Sequence, residues 1–133
     1  MKIVITAIAT LLIGFLALAH EGHDKTPGAI TAPHGGQLKG TSHLYIELVS
    51  DSMGFKVYTV DHDLKTIPVK EVKVEGTAKI PKQKKSETLT FISSESFLES
   101  KFDSKGSHRY TVDLKITYKG KTESVSFNVE PLE

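Results

Sequence analysis

The chain of 133 residues is 38% hydrophobic, 25% charged and 8% aromatic, a length that fits one domain and excludes a multidomain enzyme. It contains no cysteine and carries a formal charge of +1, which excludes disulfides and thiolate metal sites and gives no electrostatic reason to bind nucleic acid.

Fifteen of the first 19 residues are hydrophobic, in the arrangement of an export signal. Lys2 supplies a positive start, Ile3 to Leu16 an apolar stretch, and Ala17-Leu18-Ala19 an A-x-A cleavage site. The apolar run is short for a membrane span and lacks a basic stop-transfer cluster behind it. The expectation is a cleaved signal over 1–19, a mature N-terminus at His20, no membrane insertion after cleavage, and residence in the periplasm or outside the cell. Cleavage takes away Lys2 and no acid, leaving 16 Lys+Arg against 16 Asp+Glu.

Residues 20–40, HEGHDKTPGAITAPHGGQLKG, hold five glycines, two prolines and three histidines, with too few large apolar side chains to bury a face. They read as a disordered or loosely docked leader. From His43 onward apolar residues recur with period two, the mark of half-buried strands. Leu44, Ile46 and Leu48 share a face, and Phe55 and Val57 follow a turn at Ser50 to Gly54. Val72, Val74, Ala78 and Ile80 form a third run, with a bulge or bend expected at Gly76, and Pro81 ends it. Leu89 and Phe91 begin a fourth. Tyr110 to Tyr118 and Ser124 to Val129 alternate most clearly, with Lys119-Gly120 as a tight hairpin turn between them. No sustained helical period occurs after residue 19. The expected fold is all-β, an antiparallel sandwich or small barrel of about seven strands over 41–133.

Sequence motifs for a serine nucleophile, a P-loop or a dinucleotide site are missing, and no acidic pair sits in an apolar setting that would raise one pKa, so no enzymatic activity is expected. Histidine is the residue type out of proportion: His20, His23, His34, His43, His62 and His108. Imidazole without thiolate suits Cu(II) or Zn(II) rather than soft Cu(I). An N-terminal His20 can chelate through its α-amine and ring together, with His23 and Asp24 near enough in sequence to complete a site. The amine must lose a proton to bind, so affinity should fall as pH drops. His34, between Pro33 and Gly35-Gly36, is either a ligand or a residue hydrogen-bonded inside a tight turn. His43 falls on the face of Tyr45 and Glu47 and is placed to project toward the leader. His62, flanked by Asp61 and Asp63, is a further candidate ligand, although Asp-x-Asp in a loop more often builds a solvated turn. His108 and the lysines of 79–85 read as solvated surface.

Ala32-Pro33-His34-Gly35-Gly36, followed by Leu44-Tyr45-Ile46-Glu47-Leu48-Val49 and Val57-Tyr58-Thr59-Val60-Asp61, resembles a family of small periplasmic domains with a Pro-His-Gly-Gly motif. These domains occur alone or as an extra domain of membrane-fusion adaptors in heavy-metal efflux systems of the RND type. The likeness runs from about Ala32 through Phe127 and implies a periplasmic β domain that handles copper, zinc or a related cation near an efflux pump, with His34, Gly35 and Gly36 as the motif residues. The chain lacks the helical hairpin and lipoyl-like segments with which an adaptor bridges pump and channel. His20 as first residue is also similar to the start of periplasmic copper carriers and of copper oxygenases with a terminal-histidine brace. The sequence therefore points to a metal-binding protein that buffers or delivers Cu(II) or Zn(II). The alternative is an envelope interaction module that docks on an RND-type efflux adaptor or another periplasmic protein, its histidines incidental.

Overall fold

The computed structural model describes residues 30–132, so the signal and the leader up to residue 29 lie outside it. Among these described residues nine strands form: β1 (Gln37–Gly40), β2 (Tyr45–Asp51), β3 (Gly54–Val60), β4 (Val72–Lys79), β5 (Glu87–Thr88), β6 (Ile92–Ser93), β7 (Leu98–Lys101), β8 (Tyr110–Tyr118) and β9 (Lys121–Val129), with one 3-10 turn at Val69–Glu71 before β4. One sheet has the order β1-β2-β3-β7-β6 and the other β5-β4-β8-β9, with every pairing antiparallel.

The period-two residues meet between the sheets. Ile46, Leu48, Phe55 and Val57 from the first sheet, with Leu44 just before β2, pack with Val112, Leu114, Ile116, Phe127 and Val129 from the second in one apolar core. Alternation places their neighbours on the outer faces. Each inward Val or Leu fully withdrawn from water contributes about 1.5–3 kcal/mol, which is why the register cannot slip by one residue.

Turn chemistry fixes the hairpins. Between β8 and β9, Lys119 and Gly120 have φ of 49° and 75°, the positive pair that a two-residue turn matched to strand twist requires. Gly76 makes no bulge, contrary to the sequence expectation, because β4 and β8 pair without a break from Val72↔Tyr118 to Lys79↔Thr111. The glycine answers to packing instead: a Cβ there would lie 2.7 Å from Leu114 Cδ2 and 3.0 Å from Asp113 O.

Two further expectations shift. The leader drawn to residue 40 loses its last four residues to β1, which pairs with β2 from Gln37↔Leu48 to Gly40↔Tyr45. Leu89 and Phe91 do not continue one strand; they lie where the chain passes from β5 of one sheet to β6 of the other. The choice between sandwich and barrel resolves as two separate sheets whose β1 and β9 edges are joined by side chains. Gln37 Nε2 donates to Asn128 O at 2.8 Å, and the Lys39 ammonium donates to Ser126 O. These donors occupy edge carbonyls of β9 that would otherwise be open to another strand.

Candidate functional site

The segment before β1 folds over the outer face of the five-stranded sheet. Gly35 N–H donates to Ala32 O at 3.2 Å, and Gly35 takes a φ of +76°, a backbone state in which a side chain is strained. Gly36 lies so close to β2 that a Cβ would sit 2.3 Å from Leu48 O. The two glycines have different tasks: the first turns the chain, and the second lets it lie against the strand.

That approach encloses Glu47. The residue points outward from β2, beside Tyr58 of β3 in the register, yet its exposure is 0%. A buried carboxylate needs donors, and three arrive from the motif. Glu47 Oε1 accepts His34 N–H at 2.8 Å and Gly36 N–H at 2.9 Å, and Oε2 lies 2.7 Å from His34 Nδ1. The His34 ring stacks on Tyr58, with centroids 3.7 Å apart and planes 9° from parallel. Tyr58 in turn contacts Phe97 at 5.5 Å, and Lys56 Nζ lies 4.9 Å over the Phe97 ring. The imidazole is thus held by a carboxylate at one edge and an aromatic ring on one face.

The chemical consequence follows from the inventory of donors. An ionised carboxylate only accepts hydrogen bonds, so Nδ1 carries the hydrogen in this pair, and neutral His34 then has its lone pair on Nε2. Nε2 makes no hydrogen bond among the described residues, and the side chain retains 30% exposure. A carboxylate behind one imidazole nitrogen is the arrangement that orients the other nitrogen toward a metal ion or a proton.

The other candidates do not converge on it. His43 Nδ1 lies 3.3 Å from Glu123 Oε1, which also accepts Ser42 N–H at 2.9 Å. Hydrogen bonding from Thr41 first, then from Ser42 and His43, outweighs a smaller opposing desolvation and holds the Glu123 carboxyl at about 2. His62 meets the Tyr45 ring edge-on at 5.4 Å. Its neighbour Asp61 is a turn former, with Oδ1 accepting Asp63 N–H and Lys65 N–H at 2.9 Å each. His20, His23 and Asp24 lie outside the described residues. Among the described residues no three His, Cys, Asp or Glu side chains come together to hold a metal ion. Among the described residues, His34 is thus the imidazole backed by a buried carboxylate, whereas His43 has only the partly exposed Glu123 beside its Nδ1.

Sequence reasoning passed over Glu47 and Tyr58 as site residues. A signal for Glu47 existed, since an acid sits in an otherwise apolar strand thirteen residues after a histidine between proline and two glycines. A cleft of about 990 Å³ runs along Val72, Val74, Phe91, Leu98, Leu114 and Val125, and no described histidine lines it.

No family model matches the chain, and no curated protein or solved structure matches it.

Proposed function

We propose that the chain is a periplasmic protein that binds Cu(II) or Zn(II) and buffers or delivers it for metal resistance, in the manner its Pro-His-Gly-Gly resemblance implies. The observation that carries this reading is the buried Glu47 carboxylate 2.7 Å from His34 Nδ1, which leaves Nε2 as the ligand atom. His34 lies only ten residues beyond Asp24, so the leader can supply His20, His23 and Asp24 as the remaining donors. An extended segment of that length spans roughly 33–36 Å, enough slack to fold back. Nitrogen and oxygen donors of this kind suit both ions.

The test is calorimetric titration of Cu(II) and Zn(II) into protein beginning at His20, into a form with one extra residue before His20, and into His34→Gln. Binding weakened in both altered forms supports a joint site. Binding lost only in the extended form confines the metal to the leader. An absence of binding in all three overturns the reading. It would favour the interaction module, in which the Glu47 clasp serves only to fasten residues 33–36 to the sheet.

A further inference from the structure

At the end of the sandwich away from the histidine clasp, the β2–β3 turn, the loop after β7 and the chain beyond β9 enclose a second cavity of about 490 Å³. Its walls include Met53, Phe102 and Leu132, and it also receives Asp51, Asp103 and Tyr110. Tyr110 is 2% exposed, and its hydroxyl is buried without a hydrogen-bond partner. A buried hydroxyl in that state is costly to a protein and calls for a partner from outside the fold. Burial first, and the charge of Asp51 second, push the Tyr110 phenol up to about 12.

Both acids have an oxygen to spare. Asp51 Oδ1 accepts Met53 N–H and Asp103 Oδ1 accepts Lys105 N–H, each at 2.8 Å, while Oδ2 of each accepts nothing among the described residues. Among the described residues neither acid forms an ion pair. Lys101 also borders the cavity, but it is exposed and on the outward side of β7, opposite buried Ser100. Met53 and Leu132 stand exposed at the rim, at 56% and 58%.

We propose that this cavity is a binding site for a small organic cation, a protonated amine or guanidinium on an apolar body. Its N–H groups donate to Asp51 and Asp103 and to the Tyr110 oxygen, and its body lies against Met53, Phe102 and Leu132. The Phe102 and Tyr110 rings, 4.5 Å apart and tilted by 42°, add an aromatic face that attracts positive charge. A bare divalent ion fits less well, because two carboxylates and a neutral phenol fall short of its ligand set and the apolar walls would have no role.

The experiment is an NMR titration of the chain beginning at His20 with benzylammonium chloride, beside benzyl alcohol as the neutral isostere. Saturable shifts confined to Met53, Phe102, Tyr110 and Leu132, with the alcohol about tenfold weaker, are expected from charge-assisted hydrogen bonds. Tyr110→Phe, which removes only the unpartnered hydroxyl and should stay folded, should weaken benzylammonium several-fold. Asp51→Asn, whose amide oxygen can still accept Met53 N–H, should erase the preference for the charged ligand. Equal binding of amine and alcohol, shifts spread elsewhere, or a linear response without saturation overturns the proposal, as does unaltered binding by both variants.

Discussion

Replacing Glu47 with alanine removes the only acceptor for three donors: His34 N–H, Gly36 N–H and His34 Nδ1–H, at 2.7–2.9 Å. Hydrogen bonds to a charged group contribute about 1.5–3 kcal/mol when well buried. Water can reach this half-exposed turn once the carboxylate is gone, so each bond is worth nearer 1 kcal/mol here and the set roughly 2–3 kcal/mol. For a domain of this size that lowers the thermal midpoint by roughly 10–20 °C. It is also a sizeable share of the about 5–15 kcal/mol that holds a domain folded. Urea unfolding should show the loss as a lower midpoint with an unchanged slope. Glu47→Gln has a different effect. Its carbonyl oxygen still accepts the two main-chain donors, but its amide must donate to Nδ1, so His34 switches tautomer and Nε2 becomes protonated. The variant should lose about 1 kcal/mol, while its Nε2 gains a hydrogen readable in a long-range nitrogen–proton NMR spectrum. A loss below about 0.5 kcal/mol for Glu47→Ala, or a protonated Nε2 in the neutral wild-type ring, would refute the clasp as described.

The two motif glycines should respond unequally. Gly36→Ala places a Cβ 2.3 Å from Leu48 O and should detach the segment, releasing the His34–Tyr58 stack as seen by tyrosine and histidine ring shifts. Gly35→Ala meets nothing within 4 Å and should cost only the left-handed backbone, about 1–2 kcal/mol. Glu123, held at about 2 from an ordinary 4.5, gives a signed pH dependence. Its folded value is depressed, so its stabilisation is present above pH 4.5 and is lost as pH falls toward 2. The midpoint difference between wild type and Glu123→Gln should shrink over that window, and a constant difference would argue against it. Tyr110, raised to about 12, acts in the opposite range: its neutral form is favoured in the fold, so stability should fall as pH rises from 10 toward 12. Absorbance titration of the phenols should show one that ionises only with unfolding, and that late step should vanish in Tyr110→Phe.

The inward face of each long strand was legible in the sequence, because burial between two sheets selects apolar residues at every second position and nothing else in the chain competes with that pattern. Lys119-Gly120 was legible for a local reason as well, since a two-residue hairpin needs backbone states that few residues adopt. β1 was not, because Gln37–Gly40 contains one large apolar residue and is held by pairing with β2 and by side-chain bonds to β9. Leu89 and Phe91 alternate like a strand although the chain is changing sheets there, since both point into the core and periodicity records burial rather than pairing. The Pro-His-Gly-Gly motif stood out by composition, but its partner did not. Glu47 occupies an outward register position, where an acid normally faces water. Only the tertiary structure folds residues 33–36 across that position and converts an outward carboxylate into a buried one. The sequence alone determined which residues avoid water; the crossing of the motif over β2 decided which polar group they had to satisfy.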